Sequence, residues 1–218
     1  MKSVLVIGLG RFGRHLAHKM KELGNDVMIV DKNATLVNEL ASGFTDAHIG
    51  DCTSEAVIRA LGVKDMDLCF VSIGEDFQSS LVITSLLKRA GAKCVVAKAN
   101  QDIQADLLMQ IGADEVVYPE RDLAAKLAVR YNADNILDYI QLTDDYSICE
   151  IPVPKAWVGS TIISVDVRRK HKINIVGIKV GDDMKPMPSA DYIFAEEDHL
   201  VIIGKNADLF KLTGKKKR

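Results

Sequence analysis

The stretch Val4-Leu5-Val6-Ile7-Gly8-Leu9-Gly10-Arg11-Phe12-Gly13 decides the fold. Four apolar residues in a row, closed by glycine, read as a strand buried on both faces. Phe12, Leu16, Met20 and Leu23 then recur at helical spacing, and Gly24 closes the helix. Between strand and helix, Gly8 suits a tight turn, Gly10 an approach of backbone to phosphate, and Gly13 close packing of helix on strand. The helix start offers unpaired amides and partial positive charge to an anion. Asp31 ends the next apolar run at the roughly 20-residue spacing of a ribose-binding acid. Together these signals read as a nucleotide-binding βαβ unit rather than a bare glycine turn.

Working outward, apolar runs at residues 4–7, 27–30, 47–49, 68–72, 95–97 and 116–118 alternate with helical patterns. Thr53 and Asp102 read as N-caps of two of those helices. This alternation predicts an α/β fold with a Rossmann-type doubly wound parallel sheet. A further helix is expected from Arg121 to about Tyr131, and residues 135–140 are read as leading out of the domain. The later part is strand-rich, at residues 146–153, 173–180 and 199–203, and holds Pro152, Pro154, Pro186 and Pro188. In its middle strand, Ile173, Ile175, Gly177 and Lys179 fall on one face and Asn174, Val176, Ile178 and Val180 on the other. The expected organisation is a nucleotide-binding domain over 1–139 and a small α+β domain over 140–218.

Within the first domain, Asp31 can accept hydrogen bonds from both ribose hydroxyls and would repel a 2′-phosphate, which disfavours NADP. Lys32 follows it and offsets part of that repulsion. Asp51 and Cys52, after the third strand, lie where the adenine edge would sit, and Ile73-Gly74 ends the fourth strand at the crevice. Arg11 stands inside the glycine loop, where backbone amides usually suffice for a pyrophosphate. A guanidinium there suits a di- or triphosphate tail.

Bulk properties narrow the partners. The chain has 218 residues and a formal net charge of −2, which argues against a nucleic-acid partner held by a broad basic field. Its one basic run, Lys215-Lys216-Lys217-Arg218, reads as a solvated tail. Cys52, Cys69, Cys94 and Cys149 are scattered, as reduced thiols would be, with no disulfide framework or zinc spacing. No run approaches the roughly 20 apolar residues of a membrane span, so a cytoplasmic location is expected. His15, His18, His48, His171 and His199 form no visible constellation for hydride chemistry. That tilts the reading from a dehydrogenase to a non-enzymatic sensor.

Gly8-Leu9-Gly10-Arg11-Phe12-Gly13 with Asp31, Gly74, Ile111-Gly112-Ala113-Asp114 and Tyr118-Pro119-Glu120-Arg121 resembles the RCK (regulator of potassium conductance) family. Within it the chain is similar to the cytosolic regulatory subunits of Ktr/Trk-type bacterial potassium uptake systems. The stretch from Ile162 through Val180, with Ala195-Glu196-Glu197-Asp198-His199 and the strand after it, is similar to the companion C-terminal RCK domain. The resemblance implies a homo-oligomer, dimers assembling into an octameric ring, peripheral to the inner membrane face on a potassium-translocating subunit. It implies ATP/ADP competition in the crevice, with NAD/NADH the ligand of the Trk branch. It also implies Arg11 at the terminal phosphate across the dimer, Lys98 beside the phosphates and Glu120 near a bound cation. In the C-terminal domain it implies cyclic di-AMP binding by Ile163, Arg168, Ile175 and Pro188.

Overall fold

The structure, a computed structural model, describes residues 1–132 and 135–213. The basic tail, Lys215 to Arg218, lies outside the described residues. By contacts the chain divides into two compact units, Met1–Arg121 and Asp122–Arg218.

The first unit is built from β1 (Ser3–Ile7), α1 (Arg11–Glu22), β2 (Asp26–Asp31), α2 (Ala34–Leu40), β3 (Asp46–Ile49), α3 (Glu55–Ala60), β4 (Leu68–Val71), α4 (Phe77–Arg89), β5 (Val95–Lys98), α5 (Asp102–Gln110) and β6 (Glu115–Val117). Its six strands are all parallel, in the order β3-β2-β1-β4-β5-β6. Successive side chains of a strand point to opposite faces. In β1 both sets are apolar, so Leu5 and Ile7 join one buried cluster and Val4 and Val6 another. This is the doubly wound α/β sheet that the uninterrupted apolar runs imply. Each fully buried aliphatic side chain there contributes about 1.5–3 kcal/mol, and Val4, Leu5 and Val6 are all completely buried.

The second unit has a five-stranded antiparallel sheet in the order β10-β9-β11-β8-β7. Its strands are β7 (Asp138–Gln141), β8 (Tyr146–Pro152), β9 (Ile173–Val180), β10 (Asp183–Pro186) and β11 (His199–Lys205). The helices are α7 (Ile162–Val165), α8 (Val167–Lys170) and α9 (Asn206–Thr213), and α6 (Pro119–Asn132) runs across the boundary between the units. The core centres on Phe194, Trp157, Ile173, Ile178, Leu200 and Ile202.

Four expectations need correction. The division falls at 121/122, ahead of the expected 139/140, because Val129 of α6 already packs on the second core and residues 138–141 pair with β8. Thr53 is not a cap: Ser54 precedes α3, and the Thr53 hydroxyl is taken by Asp51. Asp102 is the first residue of α5 and pairs with Arg121 instead. The two-faced reading of β9 also fails midway. Val201 pairs with Gly177 but Ile202 with Ile175, so Val176 is an extra residue in a β-bulge. Its carbonyl accepts from Met187 N at 2.9 Å, and alternation restarts beyond it, so that Ile173 and Ile178 are both buried.

Candidate functional site

The phosphate loop is shaped by backbone constraints. Gly8 has φ +91°, a conformation that side chains disfavour, and its N–H donates to Val30 O at 2.9 Å. A Cβ on Gly13 would collide with the Gly8 carbonyl oxygen and touch the Ser72 side chain, so α1 can start this close to β1 only with glycine there. Gly10 precedes α1 with no side-chain cap, and the first turn of the helix carries no acid. Its leading amides therefore face outward with their partial positive charge uncompensated.

Asp31 ties the loop to the second strand. Its Oδ2 accepts from Leu9 N at 2.6 Å and its Oδ1 from Asn33 N at 2.8 Å. An ionised carboxylate has about four lone-pair sites, so acceptor capacity remains for two ribose hydroxyls.

These parts open on a cleft of about 750 Å³ at the carboxyl ends of β1 and β4, where the strand order reverses. Gly8, Gly10, Arg11, Phe12, Asp31, Lys32, Asp51, Cys52, Ile73, Gly74, Lys98 and Glu120 all line it. Gly13 packs behind the loop. Sequence reasoning missed Thr53, Glu75, Asp76 and Ser79, which also line the cleft. Asp76 had a readable signal, an acid just ahead of the helical run from Phe77. In the structure it caps α4, accepting from Ser79 N at 3.0 Å and Ser79 Oγ at 2.6 Å. Those bonds hold its carboxyl below the usual range, as the Thr53 amide and hydroxyl do for Asp51. Both are fixed anions at this end of the cleft.

At the opposite wall, Lys98 Nζ lies 2.6 Å from Glu120 Oε1 and 5.7 Å from the centroid of the Phe12 ring. The ammonium pulls the Glu120 carboxyl below its ordinary range, with a smaller contribution from the charge of Arg11. Among the described residues no group of three His, Cys, Asp or Glu side chains could hold a metal. With Glu120 engaged by an ammonium, these residues do not fit a cation held by this chain alone.

Cys52 is buried, and burial with the nearby Asp51 and Asp31 pushes its thiol up to about 12. Cys69 is likewise at about 12 and Cys149 at about 11, chiefly through burial. Free of the fold, such thiols ionise near 9. Between pH 9 and 11 the unfolded chain therefore binds fewer protons than the folded one, so stability falls as pH rises. Each thiol fully neutral when folded and ionised when unfolded contributes a slope of about 1.4 kcal/mol per pH unit. Urea unfolding at pH 8, 9.5 and 10.5 is expected to show this loss, and Cys52→Ser, Cys69→Ala and Cys149→Ala together should flatten it. An unchanged slope in the triple variant would assign the alkaline loss to other groups.

In the second unit, Ile163, Arg168, Ile175 and Pro188 line one pocket of about 310 Å³ with Ile162, Asp166, Val167 and Ala190. The strand, two short helices and the segment after β10 bring them together from distant sequence positions.

The TrkA-N domain model matches residues 4–119, the stretch that builds the cleft. The chain belongs to the TrkA-N family. The companion TrkA-C domain model matches residues 148–214. Over 208 residues this TrkA-N protein is 39% identical to Ktr system potassium uptake protein C of Bacillus subtilis (strain 168), covering 95% of this chain and 94% of the relative. It is 36% identical to Ktr system potassium uptake protein A of the same organism, with the same coverage. Among solved structures it is similar to a GsuK channel bound to NAD, with TM-score 0.72 and 21% identity over 100% of this chain and 40% of that one. A likeness at that identity speaks to the fold.

Proposed function

We propose that this chain is a nucleotide-binding, non-enzymatic regulatory subunit of a potassium uptake system. ATP and ADP exchange in the first-unit cleft and thereby control a membrane potassium-translocating subunit. What chiefly supports the reading is that likeness to the Ktr proteins runs through both units. The cleft supplies the means: uncapped helix amides for phosphate, Asp31 for ribose, and Arg11 and Lys98 for further negative charge. No described helix is long and apolar enough to cross a membrane, and the potassium-translocating subunit is proposed as a separate membrane partner. Exposed apolar side chains on α5 and α6, among them Ile103, Leu123, Leu127 and Tyr131, fit an assembly of copies, proposed as dimers closing an octameric ring. The second-unit pocket is the proposed cyclic di-AMP site, with Ile163, Ile175 and Pro188 against a base and Arg168 on phosphate.

A second reading, an NAD(H)-binding regulator, is equally permitted by Asp31, which suits any adenine ribose. Titration of ATP, ADP, NAD and NADH, with assembly mass measured alongside, separates the two. Tight ATP and ADP with weak NADH supports the first; tight NADH with weak ATP replaces it. Within the first reading, Arg11→Ala is expected to weaken ATP by about tenfold more than ADP, the scale of one charge-assisted hydrogen bond. An unchanged ATP/ADP ratio would remove Arg11 from the terminal phosphate.

A further inference from the structure

The Lys98–Glu120 pair is asymmetric. The Lys98 side chain is 11% exposed and that of Glu120 69%. The ammonium is confined on several sides: the Phe12 ring lies on one, and a Cβ built on Gly74 would come within 3.3 Å of Nζ on another. The Gly74 backbone is itself fixed, its carbonyl accepting from Asn100 Nδ2 at 2.6 Å. Glu120, by contrast, is a long, exposed side chain on the first turn of α6. Phe12 belongs to the phosphate loop, and Lys98 lines the same cleft as Gly8, Gly10 and Arg11 of that loop. The cleft also contains more carboxylates than cations: Asp31, Asp51, Glu75, Asp76 and Glu120 against Arg11, Lys32 and Lys98.

We propose that Glu120 is a resident competitor for the nucleotide's phosphates: it holds the Lys98 ammonium until a phosphate takes that ammonium, and its displacement loosens the first turn of α6. The proposal rests on the nucleotide reading of this cleft. Two anions on one ammonium repel each other, and the confined cation cannot follow whichever leaves. A phosphate also collects the loop amides, whereas an exposed carboxylate gains little from a single ion pair. Glu120 is therefore the partner that moves. Its release does not free α6 outright, because Arg121 bonds Asp102 at 3.0 Å and stacks 3.6 Å from the Tyr118 ring centroid. The ties of Arg121 remain when that of Glu120 is lost, which suits a graded signal carried along α6.

The test uses the full-length protein with ADP and ATP, in chelator and at constant ionic strength, for wild type, Glu120→Gln, Lys98→Gln and the double variant. Glu120→Gln is expected to bind both nucleotides about five- to tenfold tighter, and Lys98→Gln about tenfold more weakly. The double variant should match Lys98→Gln, since a competitor for a missing cation has no effect. Hydrogen exchange gives the independent readout. Nucleotide should speed exchange at the first turn of α6 in wild type, and that turn should already exchange fast and unresponsively in Glu120→Gln. Equal or weaker nucleotide binding by Glu120→Gln, or an α6 start indifferent to nucleotide in wild type, overturns the competitor role while leaving the nucleotide site standing. Absence of nucleotide binding by wild type overturns both.

Discussion

Gly13→Ala is expected to lower nucleotide affinity by at least about 100-fold while the protein still folds. The added methyl meets the Gly8 carbonyl oxygen, a backbone atom with no rotamer to escape into, and the Ser72 side chain behind it. Relief must come from moving α1 away from β1 or turning the Gly8 peptide, and either displaces the amides that face a phosphate. Hydrogen bonds to a charged group are each worth about 1.5–3 kcal/mol, so losing two loop amides costs roughly 100-fold or more, and overpacking adds about 1–3 kcal/mol of destabilisation. Gly10→Ala is the matched control, because nothing lies within 4 Å of a Cβ at that position and folding alone should not suffer. Titration with ADP and thermal unfolding read the two effects separately. If Gly13→Ala kept affinity within about threefold, the loop would not be what holds the phosphates.

Phe194→Ala should produce the largest loss of stability, about 3–5 kcal/mol, confined to the second unit. Phe194 is 1% exposed, with its ring centroid 5.8 Å from that of Trp157 and 6.4 Å from that of Tyr192. Removing it leaves a cavity among groups already tied by other bonds, Tyr192 to Asp198 and Ala195 N to the same carboxylate. Trp157 is the chain's one tryptophan and lies in this core, so its fluorescence reports the second unit directly. The cleft residues all belong to the first unit, so ADP should still stabilise the variant against heat. A fluorescence midpoint corresponding to less than about 1 kcal/mol of loss would mean that Trp157 and its neighbours collapse into the space.

The parallel sheet was legible because its strands are buried on both faces and so print as unbroken apolar runs. The cleft was legible in its phosphate loop and Asp31, whose roles depend on short spacings. What failed depends on partners distant in sequence. Residues 138–141, Asp-Tyr-Ile-Gln, carry little strand signal, and only pairing with β8 makes them a strand. The outer strand β10 is exposed along its whole length, yet the two-residue link Gly181-Asp182 between β9 and β10 is a hairpin signal that could have found it. Thr53 and Asp102 have the right chemistry for capping, but Asp51 and Arg121 engage them first. Lys98 and Glu120 lie far apart in the chain, and no local pattern predicts the 2.6 Å approach that joins them.

The extra residue in β9 bears on how this strand tolerates changes of length. Losing one residue from a strand ordinarily sends every later side chain to the opposite face. At Val176 the arithmetic is reversed. Ile175 and Gly177 already oppose consecutive residues of β11, Ile202 and Val201. A chain lacking the codon for Val176 would keep both halves of the ladder in register, with Ile173 and Ile178 still facing inward. The carbonyl that receives Met187 would go with it, and so would the local kink. Homologues differing by one residue at this point can therefore share the same core, and alignments that place a gap there need not imply a different sheet.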